Sequence, residues 1–261
     1  MNDATQSEKL FAGYRQQRVH GIKTAAVRFD GAVYFVPWYG VHRPVAASIL
    51  RKKYSTPGLH ALVETLMTAR PGNMVHAGTF FGDMLPSFAR KTPGLVYAFE
   101  PVLENYLLAR RITERNQLDN VLLFHAGLAE RSRPGVVETR EEQQHRGGGS
   151  FVVSDPERQT FATQRVSLIS IDQMAIEDVS LIQLDVEGFE RPVLEGALET
   201  ITRHEPVIVL EDFRKTCADL LDELGYHHVA KAGPRDDVYM TDAWRTALPQ
   251  VLADFGTVEV S

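Results

Sequence analysis

Four carboxylates gather at the ends of two apolar runs. Asp185 and Glu187 follow Leu181 to Leu184, and Glu211 and Asp212 follow Val207 to Leu210. Acids set together at strand ends position a hydroxyl, take its proton, or hold a divalent cation through oxygen; the sequence leaves the metal undecided. Upstream, the run Met74 to Ala77 opens into Gly78-Thr79-Phe80-Phe81-Gly82-Asp83 ahead of an amphipathic stretch. Glycine at a strand end lets a ligand approach the backbone, and a helix N-terminus beyond it presents unpaired N–H groups. A dinucleotide turn requires G-x-G-x-x-G. The G-x-x-x-G found here is more open and suits an amino-acid-bearing nucleoside without a diphosphate. About 20 residues on, the next run ends in Phe99-Glu100-Pro101, where an acid accepts hydrogen bonds from ribose hydroxyls. Pro101 suits the first turn of a helix, since its missing N–H costs nothing there.

These groups meet only if a sheet collects them at one edge. Short apolar runs at Met74 to Ala77, Leu95 to Phe99, Val121 to Phe124, Leu181 to Leu184 and Val207 to Leu210 alternate with amphipathic stretches. The stretches are Asp83 to Arg90, Leu103 to Asn116, Phe189 to Arg203 and Cys217 to Leu224. Continuous apolar runs are strands buried on both faces, and their alternation with helices implies right-handed βαβ crossovers. The fold class is therefore α/β, a doubly wound, Rossmann-like sheet spanning residues 72–261. A charged, glycine-rich insertion interrupts it near 131–164. Residues 1–71 form an N-terminal extension. It is polar to about Arg18, then reads as a β-hairpin around Asp30-Gly31 and two helices between Pro44 and Met67, separated at Pro57-Gly58. Tyr34, Phe35, Trp38 and Tyr39 cluster after the hairpin as a small core, with an acceptor wall shared across a homodimer as the alternative.

Composition removes several classes. With 28 Lys+Arg against 34 Asp+Glu the net charge is −6, and no basic block marks a nucleic-acid binder. The single cysteine, Cys217, excludes an internal disulfide and a cysteine-built zinc cluster. No apolar run approaches the ~20 residues of a membrane span, and the polar start carries no signal-peptide segment. The expectation is a cytoplasmic protein with a small-molecule partner, without nucleic acid or membrane.

The stretch Ile182-Gln183-Leu184-Asp185-Val186-Glu187-Gly188-Phe189-Glu190, followed by Val193-Leu194-Glu195-Gly196-Ala197, resembles the signature of FkbM-type S-adenosylmethionine-dependent methyltransferases. Tyr97-Ala98-Phe99-Glu100-Pro101 matches that family's second-strand motif, and Gly147 to Ser150 and Val166 to Met174 resemble two further segments in the same order. The resemblance covers about residues 72–213. It implies a class I methyltransferase fold with S-adenosylmethionine as cofactor. Gly78, Thr79, Phe80, Gly82 and Asp83 would face its amino-acid end, Glu100 and Pro101 its ribose, Ala126 and Gly127 its adenine, and Ser150 would belong to a loop closing over it. Asp185, with Glu187 or Glu211, would carry the chemistry beside the methyl group, Asp185 also touching cofactor. Where most members carry an acid, this chain has His76, which remains a candidate for touching the cofactor. His125 is read as structural, and Glu190 and Glu195 as solvated helix residues. The implied reaction is O-methylation of a hydroxyl on a sugar-containing or other natural-product acceptor. Two rivals stand beside it: a degenerate methyltransferase fold used for binding or assembly, and a nucleotide-dependent oxidoreductase.

Overall fold

A computed structural model describes residues 3–139, 151–152, 163–212 and 215–248. Its largest element is a seven-stranded sheet in the order β13-β14-β12-β11-β4-β5-β6. The chain enters through α1 (Asp3–Gly13), then β1 (Arg15–Val19), β2 (Ile22–Phe29) and β3 (Ala32–Pro37). Two helices follow, α2 (Pro44–Leu50) and α3 (Pro57–Ala69). The first half of the sheet comprises β4 (Asn73–Ala77), α4 (Leu85–Lys91), β5 (Val96–Phe99), α5 (Leu103–Asn116) and β6 (Val121–Phe124). Four short strands come next: β7 (Gly127–Leu128), β8 (Arg133–Glu138), β9 (Phe151–Val152) and β10 (Thr163–Ile169). The second half is β11 (Val179–Leu184), α6 (Glu190–Glu195), α7 (Leu198–His204), β12 (Val207–Leu210), α8 (Ala218–Glu223), β13 (His227–Lys231), β14 (Asp237–Met240) and α9 (Asp242–Ala247).

Strands β4, β5, β6, β11 and β12 pair in parallel, and β14 runs antiparallel between β12 and β13. Their apolar runs are continuous because both faces are covered. Met74, Val207 and Val209 pack with α3 and α4, through Leu62, Leu66 and Phe88. Val75, Ala77, Ile208 and Leu210 pack on the opposite face with Val193, Leu194, Ile201 and Leu221. The winding direction reverses between β4 and β11, and in such sheets ligands bind outside the strand ends at that reversal. Register brings Ala77 beside Leu184 there, so Gly78 and Asp185 leave the sheet as neighbours.

The N-terminal residues hold more strand than the sequence reading expects. The hairpin turns at Asp30 (φ 45°) and Gly31 (φ 68°), as an Asp-Gly pair favours. A second turn at His20 and Gly21, both with positive φ, adds β1 at the end of a segment read as polar to about Arg18. Pro57 begins α3 within its first turn and so sets the helix start, as proline does without loss of a helical hydrogen bond. This unit has its own core of Phe11, Val27, Tyr34, Ile49 and Leu50, and shares it with Phe81, Leu108 and Ile112 of the sheet domain. Strands β8 and β10 pair antiparallel, bracketing the glycine-rich stretch. The helix expected from Phe189 to Arg203 is two, since Gly196 lies against the Ala129 carbonyl, 2.1 Å from where a Cβ would stand. No helix among the described residues is long and apolar enough to cross a membrane.

His76 does not reach the strand ends. Strand β4 continues through Ala77, so His76 stays within the sheet's flank, 1% exposed, edge-on to Phe88 with ring centroids 5.2 Å apart. Its Nδ1–H donates to the Gln183 side-chain carbonyl on β11, and burial pushes its pKa down to about 4. The ring is therefore neutral at pH 7 and belongs to the core. A folded pKa below the unfolded ~6.5 adds stability above pH 6.5 that is lost as pH falls toward 4. Relative to His76→Met, the wild-type protein is expected to lose about 1 kcal/mol per pH unit in that window. Urea unfolding at pH 7, 6, 5 and 4 measures this, and parallel profiles for the two proteins would contradict it.

Candidate active site at the carboxyl edge of the sheet

Two tight turns meet at the reversal point. In the first, Gly78 and Thr79 N–H both donate to Phe99 O at 3.2 Å, tying the turn after β4 to the end of β5. Gly78 takes φ +86°, and a Cβ there would stand 1.8 Å from Asp185 O, so only glycine permits the close approach of the two turns. Phe80, with φ +50°, aims its N–H at Glu100 Oε2 at 2.8 Å. Helix α4 starts at Leu85, with Pro86 in its first turn; Asp83 therefore sits in the turn before the helix rather than at its first residue.

Glu100 is 4% exposed. Its Oε1 accepts from Val102 N–H at 2.8 Å and Asn105 Nδ2 at 3.4 Å. A carboxylate has about four acceptor positions, and with two donors on Oε1 and one on Oε2 the open position is on Oε2. Burial pushes the carboxyl's pKa up to about 8 against the pull of these donors. Asp83, also buried, is pushed up to about 7 by the same cause.

The second turn follows β11. Glu187 (φ 56°) and Gly188 (φ 93°) put successive residues in the left-handed region, a conformation that costs a non-glycine residue energy and persists where neighbours enforce it. Glu190 enforces it here. The sequence reading makes Glu190 a solvated helix residue, yet it is fully buried, and its Oε1 accepts from Val186 N–H at 3.2 Å and Gly188 N–H at 3.1 Å. Asp185 is raised well above the ordinary carboxylate range by burial, by the charges of Glu211 and Glu187, and by a hydrogen bond shared with Glu211. The Glu211 carboxylate beside Asp185 thus favours the protonated form of Asp185, because an adjacent negative charge disfavours a second one. Arg235 Nη1 lies 3.2 Å from Glu211 Oε1. Asp212 is not among the residues lining the cleft and accepts from Cys217 N–H at 3.0 Å, just ahead of α8.

These groups line a single cleft of ≈ 490 Å³. Of the residues picked out by sequence, Gly78, Phe80, Asp83, Glu100, Pro101, Gly127, Asp185, Glu187 and Glu211 line it. Thr79 and Gly82 support its turn: Thr79 is 1% exposed, and a Cβ on Gly82 would meet the Ala109 backbone of α5 at 2.9 Å. Ala126 is buried beside the cleft and does not line it. Ser150 lies outside the described residues. His125 stacks on Tyr106 and donates to Pro101 O at 3.1 Å. Sequence alone does not mark Arg43, Thr56 or Asp236, all of which line the cleft. Arg43 and Thr56 each directly precede the proline that starts a helix, Pro44 and Pro57, and no motif there points to a site. Asp236 follows a loop whose strand, β14, is too short to stand out as a run; burial pushes its pKa up to about 6. Among the described residues, no group of three or more His, Cys, Asp or Glu is disposed to hold a metal ion.

The family model for the methyltransferase FkbM domain matches residues 76–233. The chain belongs to the FkbM methyltransferase family. Its sheet order, with the antiparallel β14 between β12 and β13, is the Rossmann-like fold of class I methyltransferases. No curated protein matches. Among solved structures, methyltransferase FkbM from Methylobacillus flagellatus is similar at 18% identity and a TM-score of 0.45, over 78% of this chain and 55% of that one. This chain thus spans about half the length of that relative. A methyltransferase from Geobacter sulfurreducens is similar at 15% identity and a TM-score of 0.41, over 70% of this chain and 77% of that one. A SAM-dependent methyltransferase from Aquifex aeolicus follows at 14% identity and a TM-score of 0.39, over 69% and 88%.

Removing the Glu190 carboxylate takes the acceptor from two part-buried N–H groups, those of Val186 and Gly188, a loss of about 0.5–1.5 kcal/mol for each hydrogen bond. Glu190→Ala is accordingly expected to lower unfolding free energy by about 1–3 kcal/mol, with Glu190→Gln, whose amide oxygen still accepts, losing less. Equal stability of the two variants in chemical denaturation would show that this side chain does not hold the turn.

Proposed function

We propose that this FkbM-family protein transfers a methyl group from S-adenosylmethionine to a hydroxyl on a small acceptor, a sugar-containing or other natural product. The carrying observation is that a buried acid, Glu100, and Asp185 with Glu211 beside it line one cleft. The residues fit the cofactor. Gly78 lets the backbone approach closely, Glu100 Oε2 has an acceptor position open for a sugar hydroxyl, and Val102, Leu128, Val137 and Phe189 give the same cleft an apolar portion suited to an adenine ring. When bound, the cofactor supplies an electrophilic methyl on a sulfonium.

The protein's own share is positioning and proton handling. Asp185 must be ionised before it accepts a proton from the acceptor hydroxyl; it is a base above its raised pKa and not below it. Glu211 sets that pKa, and Arg235 partly offsets the charge of Glu211. Glu187, held out of the helix by the left-handed turn, adds a further acceptor for a second acceptor hydroxyl. His76 bears on the reading of the chain as a degenerate binding module: its departure from the family's acid lies in the core, and the lining acids of the cleft are kept.

Calorimetry with S-adenosylhomocysteine tests the cofactor reading. Micromolar binding is expected, weakened about ten-fold in Glu100→Ala, as for a buried hydroxyl left without its partner at a cost of about 1–3 kcal/mol; no binding by the wild-type protein would leave the binding-module reading standing. Once an acceptor is found by screening metabolites for a cofactor-dependent methylated product, Asp185→Asn is expected to reduce turnover by about 10²–10⁴-fold. Turnover should rise with pH as Asp185 ionises, and Glu211→Gln should move that rise to lower pH by removing the neighbouring charge. A profile that moves upward, or not at all, would contradict the assignment of Asp185 as base.

A further inference from the structure

The turn Trp38–Gly40, between β3 and α2, reaches two of the three residues that donate to Glu100. Tyr39 OH donates to Asn105 Oδ1 at 2.7 Å, and Asn105 Nδ2 donates in turn to Glu100 Oε1 at 3.4 Å. Asn105 has no solvent exposure, so its amide has only protein groups to satisfy it, and the network fixes its orientation: the oxygen faces a hydroxyl and the nitrogen faces a carboxylate. One residue further along, Gly40 lies against the Phe80 ring, where an added Cβ would stand 3.4 Å from Phe80 Cζ. Phe80 is the residue whose N–H donates to Glu100 Oε2. The two contacts use different atoms of the turn and end on different oxygens of the same carboxylate.

We infer that Tyr39, acting through Asn105, is a positioning residue for the sugar-binding carboxylate, so that the N-terminal unit is part of the cofactor site. This rests on the reading of Glu100 as the ribose acid. A carboxylate with one oxygen held by Val102 and Asn105 has its plane fixed, and the open acceptor position on Oε2 is then held toward the cleft. Without Asn105, Oε1 keeps only the Val102 N–H and the group is freer to rotate. Without the Tyr39 hydroxyl, the Asn105 amide loses the contact that orients it. Residue 39 precedes the segment matched by the family model, 76–233, so this control is supplied from outside the family's defining region.

A merely structural role for Tyr39 would weaken every ligand alike; a positioning role acts on the sugar contact. Calorimetry therefore compares S-adenosylhomocysteine with its 2′-deoxy and 3′-deoxy analogues, on wild-type protein, Tyr39→Phe and Asn105→Leu. Wild-type protein should bind at least one deoxy analogue about ten-fold more weakly than the parent, as for a hydrogen bond lost from a buried polar group. In Tyr39→Phe that discrimination should fall at least three-fold, and in Asn105→Leu it should fall further. The double variant should match Asn105→Leu, because Tyr39 works through it. Tyr39→Phe removes one oxygen and keeps the ring, which leaves a folded protein to measure if Asn105→Leu unfolds. Full discrimination in Tyr39→Phe, whatever the change in overall affinity, overturns the inference alone. Wild-type protein that binds the parent without discriminating overturns both it and the ribose role of Glu100. Wild-type protein that binds no S-adenosylhomocysteine overturns the cofactor reading from which both start.

Discussion

One buried carboxylate organises this protein's edge. Glu100 is nearly sealed from solvent and accepts from two backbone N–H groups and one side-chain amide, drawn from the turn after β4, the entry to α5 and α5 itself. Each donor lowers the cost of burying an acid, yet burial still dominates and holds its pKa at about 8. A group kept at that cost is rarely only structural, since an apolar residue of similar volume would be cheaper in the same place. Perturbed acids in a cleft are where function concentrates, and three of the others lining this one, Asp83, Asp185 and Asp236, are shifted in the same direction by the same cause.

The sheet makes this arrangement possible by its reversal. Parallel strands β4 and β11 deliver two turns side by side, and Gly78 against the Asp185 carbonyl locks them at a separation that no other residue allows. From that junction one turn leads to Glu100 and the other to Asp185 and Glu187. The helices on both faces serve this edge indirectly, through cores that fix strand register. Glu190 has a more direct part, bracing from below a turn whose left-handed residues would otherwise relax.

Much of this was legible in the residues. The five central strands read as apolar runs because both faces are buried, and α5 carries its amphipathic period from Leu103 to Asn116. Gly78, Glu100 and Asp185 stood out because turn chemistry and acids at strand ends leave local traces. What was illegible depends on contacts distant in sequence. His76 looked like a cofactor residue from its place near the strand end; one further strand residue, Ala77, moves it into the core. Glu190 looked solvated because its partners are backbone N–H groups, which no side-chain pattern reveals. Arg43, Thr56 and the Tyr39–Asn105 contact depend on how the N-terminal unit docks on α5, and the packing of Leu108 and Ile112 against Phe11 and Tyr34 cannot be read from either segment alone.

The sugar contact of Glu100 is tested most directly by a crystal structure with S-adenosylhomocysteine bound. The account predicts a ribose hydroxyl within about 2.5–3.0 Å of Glu100 Oε2, with the Phe80 N–H bond to that oxygen retained. A nucleoside seated elsewhere along the cleft, or a ribose whose hydroxyls face solvent while Glu100 keeps only its present three donors, would contradict it.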